Sequence, residues 1–380
     1  MNIAIVHDWL DTWGGGESAL AQLLAMYPEA QVFALVDFMG GDDRARLGLG
    51  SRPVHTTFIQ HLPGARNGFR RYLPLFPHAI ERLDLSHFDL VLSSSHAVAK
   101  GVRTTPSQLH ICYCYTPMRY AWDLQESYLQ QVGLHRGVAG WFVRRSLARL
   151  RRWDARSAAR VNHFVAISAH IADRIQRSYG RESSVIYPPV DIGRFDASTR
   201  RSPVYVTVSR LVPYKRIDLI VAGFRDLPGH QLVVIGEGPE RSRIEELAGP
   251  NVQLVGQATN EERDRWLATA RAFIFAADED FGIAPVEAQA HGMPVIALGR
   301  GGVLETIRGL DDGAPTGVLF PDQTAEAIAK AVRLFEAKAE RITALACRDN
   351  ALRFSAERFR GEFDAFVHAR LDDFARKAAA

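Results

Sequence analysis

Short runs of β-branched and other apolar residues alternate with stretches of helical period along the whole chain. In the first half NIAIVHD, QVFALVD, DLVLSSS, HICYCY and HFVAIS read as strands; in the second half PVYVTVSR, QLVVIG, NVQLVG, AFIFAAD and PVIAL do. Strands that alternate with helices build parallel βαβ units, and two such series predict two doubly wound α/β domains. Residues 183–203, SSVIYPPVDIGRFDASTRRSP, combine prolines, charges and weak periodicity, and read as an exposed linker. The domains are therefore expected at 1–190 and 198–355. Beyond them Phe359, Phe363, Phe366 and Leu371 follow helical spacing, which predicts a long helix over 356–380 packing back on the first domain.

Composition narrows the class. At 380 residues the chain exceeds one hydrophobic core, and 47% apolar with 23% charged residues is an ordinary globular balance. A formal net charge of +3 gives no support for a nucleic-acid binder. Cys112, Cys114 and Cys347 are too few and too scattered for a disulfide framework, and the lone C-x-C lacks a second pair for zinc. The opening MNIAIVHDWL shows no secretory pattern, and no apolar run reaches the roughly 20 residues of a membrane helix. A cytoplasmic protein with at most peripheral membrane contact is expected.

In parallel α/β sheets ligands sit beyond the carboxyl ends of strands, so the loops there carry the candidate chemistry. In EDFGIAPVEAQAHGMPVIA, Ile283, Val286, Glu287 and Ala290 share a helical face, which puts the Glu287 carboxylate on an apolar stripe. Glutamate is almost never buried without a partner, so that face is expected to border a site for a polar ligand. The amides of Gly282 and Ile283, next to Phe281 at the helix start, can meet phosphate oxygens. Glu287 suits a ribose diol, and Glu279 lies before the turn, free to touch another part of the same ligand. Arg210 and Lys215 in VTVSRLVPYKRIDLI supply two cations for a diphosphate. Gly236 and Gly238 in VVIGEGPERSRI begin a dinucleotide fingerprint that fails at Arg241, leaving a tight turn suited to a flat ligand.

In the first domain Gly14, Gly15 and Gly16 lead into a helix expected to begin near Glu17, where close backbone approach to an anion is allowed. His96, Lys100, Tyr115, Arg119 and Asp123 follow strand ends, where they can line a facing wall of the site. The Asp278–Glu279–Asp280 run matches D-x-D, but no further carboxylates converge on it in sequence, so no metal is expected. Along residues 140–161, Arg145, Arg149, Arg152 and Arg156 form one helical stripe, and Val143, Leu147 and Leu150 another. A basic amphipathic segment of this kind, Arg144 to Arg156, can lie on anionic lipid, although most charge runs are solvated faces packed on their own domain.

Taken together, E-DFGIAPV-E with AQAHGMPVIA, the R-LVPY-K pair, GEGPE and GGGE resemble the retaining glycosyltransferases of family 4 over nearly the whole chain. The resemblance implies the GT-B fold: two Rossmann-like domains facing a cleft, with the C-terminal helix crossing back to the first. It implies a nucleoside diphosphate sugar as donor and no cofactor. Arg210 and Lys215 fall to the diphosphate, helped by the amides of Gly282 and Ile283. Glu287 falls to the ribose and Glu279 to the sugar hydroxyls, with Gly15 and Gly16 on the phosphate side. TPMRYAWD is similar to bacterial mannosyl- and deoxyhexosyltransferases of O-antigen and exopolysaccharide synthesis, which implies a GDP-mannose-type donor, a lipid-linked saccharide acceptor and work at the cytoplasmic face of the inner membrane. Many of these relatives carry histidine where Tyr115 stands. Two other readings use the same donor: a GT-B epimerase without an acceptor, and a donor-binding subunit without catalysis.

Overall fold

The computed structural model describes residues 1–119, 121–122, 137–193, 195–196 and 199–379. They form two compact units, Met1–Pro189 with Phe359–Ala380, and Val190–Arg358.

The first unit is built on a parallel seven-stranded sheet. Its strands are β1 (Ile3–His7), β2 (Gln31–Ala34), β3 (Val54–Thr56), β4 (Leu90–Ser95), β5 (Leu109–Cys114), β6 (His163–Ala166) and β7 (Ser183–Val185), in the order β3-β2-β1-β4-β5-β6-β7. The second carries a parallel six-stranded sheet of β8 (Val204–Val208), β9 (Gln231–Ile235), β10 (Val252–Gly256), β11 (Phe273–Phe275), β12 (Val295–Leu298) and β13 (Gly317–Phe320), ordered β10-β9-β8-β11-β12-β13. Helices cover parallel sheets on both faces, which is why strands such as β1 and β8 read as largely apolar runs. In each sheet the chain first builds outward one way, then returns to build the other way. The reversal falls between β1 and β4 in the first sheet and between β8 and β11 in the second.

Every residue of β4 and β5 is buried, polar ones included. Ser93 Oγ and His110 Nε2 satisfy one another at 2.8 Å. Burial, followed by the Arg160 charge, depresses the His110 imidazole to about 3, so it is buried neutral. An unfolded chain would take up this proton near pH 6.5, and the folded one only far lower. Stability contributed here is therefore complete above pH 6.5 and falls as the pH drops toward 3, by up to about 1.4 kcal/mol per pH unit. The His110→Gln variant is expected to show a flatter stability profile between pH 6.5 and 4 in urea titrations; an unchanged slope would mean that His110 charges freely in the fold.

Two expectations need correction. The segment read as an exposed linker is partly structural: Ser183–Val185 pairs with β6 as an edge strand, and Ile186, Pro188, Pro189 and Val190 are buried. Proline brings no N–H, so Pro188 and Pro189 enter the interior without stranding a donor. The C-terminal helix, Ala356–Ala379, buries Phe359, Phe363 and Val367, while Phe366 and Leu371 stay half-buried at the stripe's margin. Tyr113 takes the first two rings edge-on at 5.5 and 5.9 Å.

The helix Gly137–Ala158 brings the second correction. Leu147 and Leu150 are buried and Val143 packs on the same core, so its apolar stripe is used by the domain itself. Arg145, Arg149, Arg152 and Arg156 remain exposed on the other side, a surface that is basic but not apolar. No helix among the described residues is long and apolar enough to cross a membrane.

Candidate functional site

At the reversal point of the second sheet, the loops after β8 and β11 emerge side by side. Lys215, in the turn Pro213–Lys215 after β8, makes a direct ion pair with Glu279 in the loop after β11, and the two side chains are 16% and 19% exposed. The ammonium also lies 5.5 Å from the Tyr214 ring centre and 5.7 Å from that of Phe275. Arg210 donates to the Tyr214 hydroxyl at 2.8 Å and is itself exposed. Arg210, Tyr214, Lys215 and Glu279 therefore form one connected group at the switch point, the location where open α/β sheets bind ligands.

Glycines fix this edge. Gly236 and Gly238, with φ of 138° and 159°, press against the loop after β8; a Cβ on either would collide with the carbonyl oxygens of Ser209 and Leu211. Their close approach is thus to the Arg210 loop itself, and it holds that loop in place: Leu211 N–H donates to Glu237 O at 2.8 Å. Gly301 and Gly302 do the same for the Glu279 loop, where the Gly302 amide donates to Glu279 O at 2.9 Å and neither position has room for a Cβ.

The helix Ile283–Ala290 starts at Gly282, whose φ of 92° lies in the left-handed region that glycine tolerates, and no side chain caps it. Glu287 is half-buried one turn inside, between fully buried Val286 and Ala288. Burial disfavours the Arg263 charge, yet Glu287, then Asp264, more than offset this, so Glu287 is electrostatically tied to the helix Asn260–Thr269. Phe281 was expected to touch ligand. Its ring instead packs inward, 3% exposed and edge-on to Phe354 at 5.3 Å, leaving only its main chain at the turn.

The first domain gathers a different group at its own reversal point. The helix containing the glycines spans Gly15–Met26, two residues earlier than expected, with Gly14 as an uncapped N-cap. Asp8, fully buried after β1, accepts the amides of His96, Ala97, Val98 and Ala99 and meets His96 Nδ1 at 3.0 Å. Burial alone would raise its carboxyl, but His96, then His7 and the Ala99 amide, hold it far below the carboxylate range. His96 is the accessible member, its side chain 33% exposed beside Trp9 at 4.6 Å. Tyr115, expected to face a sugar, turns its hydroxyl inward to Gly16 O at 2.7 Å and Ser94 Oγ at 2.8 Å. Lys100 also points inward, buried in an ion pair with Asp154. Arg119 is half-buried beyond β5. Asp123 lies outside the described residues.

Sequence reasoning missed Tyr214, Arg263, Gly301 and Gly302 in the second domain and His7, Asp8 and Glu17 in the first. The His–Asp pair ending β1 was a signal, since two titratable residues closing an apolar strand are seldom there for packing. Among the described residues no group of three or more His, Cys, Asp or Glu side chains is placed to hold a metal ion.

Residues 194–353 match the model of glycosyl transferases group 1, and residues 13–194 that of glycosyltransferase family 4. A GDP-mannose-dependent alpha-(1-6)-phosphatidylinositol monomannoside mannosyltransferase of Mycobacterium tuberculosis is 29% identical over 195 residues, 43% of this chain and 51% of the relative. A D-inositol 3-phosphate glycosyltransferase of Mycobacterium bovis is 32% identical over 203 residues, 46% and 41% of the two chains. The chain thus spans about half the length of the curated relatives it matches. Among solved structures, Anabaena HepE in complex with UDP-glucose superposes with a TM-score of 0.65 at 18% identity, covering 97% of this chain and 100% of that one. Sucrose-phosphate synthase from Thermosynechococcus elongatus gives 0.68 at 17% identity over 98% and 100%. At these identities the structural likeness speaks for the fold. Fold and family models together place the chain among the GT-B glycosyltransferases, with a group 1 domain at 194–353 and a family-4-like domain at 13–194.

Proposed function

We propose that the protein is a retaining, metal-independent hexosyltransferase. It would move mannose or a deoxyhexose from a nucleoside diphosphate sugar, GDP-linked by preference, to a lipid-linked saccharide in surface polysaccharide synthesis. The observation that carries this reading is the Lys215–Glu279 contact at the switch point of the second sheet. An ammonium paired with a carboxylate can exchange that partner for a phosphate oxygen, and the freed carboxylate can then accept a sugar hydroxyl. Arg210, exposed on the same loop, adds a second charge. The amides of Gly282 and Ile283 extend the phosphate cradle, and Glu287 takes the ribose. The mannosyltransferase likeness favours a GDP-sugar.

In the reaction the bond from the anomeric carbon to the phosphate oxygen breaks, and a bond to the acceptor oxygen forms on the same face. The acceptor's proton passes to the departing phosphate oxygen, so no protein base is required. Charge builds on the diphosphate as it leaves, and Lys215 and Arg210 would stabilise it there. His96, Arg119 and Asp123 are the first domain's candidates for sugar and acceptor. The exposed arginines of the helix Gly137–Ala158 would favour the anionic cytoplasmic face of the inner membrane by charge alone, since its apolar stripe is buried.

Incubation with GDP-mannose, UDP-glucose and ADP-glucose, and with extracted lipid-linked acceptor in vesicles with or without anionic lipid, tests all of this. Transfer from GDP-mannose with retained anomeric configuration, insensitive to EDTA and faster on anionic vesicles, is expected. Inversion or EDTA sensitivity would defeat the mechanism. Stereochemical change in the donor without acceptor would make the protein an epimerase, and binding without turnover a donor-binding subunit.

A further inference from the structure

Among the described residues Arg216 is the one non-glycine with positive φ, at 54°, with ψ of 38°. Left-handed backbone brings a side chain's Cβ too near the following carbonyl, so glycine is the residue that ordinarily takes it. Arg216 takes it at a junction. It closes the turn Pro213–Lys215 and opens the helix Ile217–Phe224, its amide donating to Pro213 O at 3.2 Å and its carbonyl accepting the Leu219 amide at 3.1 Å. Two right-handed segments would otherwise run on as one helix, with Lys215 on its first turn. A single left-handed residue breaks the axis between them and leaves Lys215 on the separate turn, where it pairs with Glu279.

The side chain explains why an arginine stands there. Its Nε and one Nη donate to the two carboxylate oxygens of Asp218 at 3.1 and 3.4 Å, a fork that fixes the guanidinium plane. Asp218 is only 13% exposed, so this is not the loose pairing of a solvated surface. Arg243 adds a second guanidinium to the same carboxylate at 3.3 Å. The other Nη of Arg216 donates to Gln323 Oε1 at 3.3 Å. Gln323, in the loop after β13, donates in turn to Ala276 O at 2.8 Å, directly after β11 on the loop that carries Glu279. One guanidinium therefore ties together the loops after β8, β11 and β13.

A strained backbone persists only where its surroundings over-determine it, and such residues gather where a side chain must be aimed. Glycine would turn the chain here at lower cost. Without the guanidinium, however, the turn would be free to swing and its tie to the Glu279 loop would be lost. We propose that Arg216 is a positioning residue, clamped by Asp218 and Gln323, that holds the Lys215 ammonium in register with Glu279 for the diphosphate of the donor. The proposal rests on the role given to Lys215 above. Arg216 acts through the neighbouring lysine and needs no contact with ligand.

Arg216→Gly in the full chain separates aim from strain. The relieved backbone and the lost ion pair offset one another, so the thermal midpoint should stay close to that of the wild type. Yet kcat for transfer from GDP-mannose, UDP-glucose or ADP-glucose, whichever the wild type uses, should fall roughly ten- to a hundredfold, the scale for a reacting group misplaced by about an ångström. Arg216→Ala should lose the same activity at a lower midpoint, because it keeps the strain. In Lys215→Ala/Arg216→Gly the loss should be no greater than in Lys215→Ala alone, a non-additivity that a merely structural residue would not give. Should Arg216→Gly fail to fold, Gln323→Ala, which keeps the pair with Asp218, carries the same test: lower turnover alone, and no further loss on Lys215→Ala. Wild-type turnover in the folded variant, or losses that multiply in the double variant, would overturn the positioning role. The reading of Lys215 fails by a different pattern, no transfer by the wild type or full transfer by Lys215→Ala, and the role of Arg216 then falls with it.

Discussion

Lys215→Ala should lose roughly a hundred- to a thousand-fold in sugar transfer while remaining folded, the range for removing one preorganised group that stabilises charge in a transition state. The side chain is suited to so large an effect. It sits where the second sheet reverses direction, its ammonium mostly removed from water between the Tyr214 and Phe275 rings and paired with Glu279. Charge–charge interactions strengthen where water is excluded, so a leaving diphosphate gains more from this ammonium than from an exposed one. The fold depends on it little, because the loop is held by backbone contacts from Gly236 and Gly238 rather than by the lysine. Steady-state turnover alongside thermal unfolding checks this; near-wild-type turnover in a folded variant would remove Lys215 from the chemistry.

The second large effect concerns stability. Lys100 is buried in the first domain, ion-paired to a fully buried Asp154 that also accepts Trp122 Nε1 at 2.8 Å and Tyr179 Oη at 2.7 Å. Burial would discharge Lys100, but Asp154 outweighs it and keeps the ammonium charged. Lys100→Met fills a similar volume but strands the carboxylate, and should cost about 3–5 kcal/mol. Adding Asp154→Asn removes that stranded charge and should recover part of the loss. Urea unfolding followed by tryptophan fluorescence reads both, since Trp122 touches the pair. An unshifted midpoint in Lys100→Met would mean that water reaches Asp154.

How far the sequence revealed the molecule differs from element to element. PVYVTVSR announces β8 because buried parallel strands are apolar over most of their length, and DLVLSSS announces β4 through its apolar first half, although its three serines are buried as well. Ser183–Val185 and Gly317–Phe320 escape notice: with three and four residues they show no period, and they are recognised as strands only through pairing with β6 and β12. The loops bearing Arg210, Lys215 and Glu279 could be marked as strand ends. That Lys215 meets Glu279, 64 residues away, depends on β8 and β11 being neighbours, which is a property of strand order and not of local sequence. The helix Gly137–Ala158 shows the opposite failure. Two stripes were legible in it, but which of them the domain would bury was not. Tyr115 was visible as a residue after a strand, whereas the inward turn of its hydroxyl required Ser94 and Gly16 to arrive from two other elements.

The most direct measurement is calorimetric titration of wild type and Lys215→Ala with GDP, UDP and ADP, and with the matching nucleoside of whichever binds. If the second domain grips the diphosphate through Lys215, one diphosphate should bind the wild type and lose at least about tenfold in affinity in the variant, with the nucleoside unaffected. Equal affinity of the diphosphate for both proteins, or no binding to the wild type at all, would contradict it.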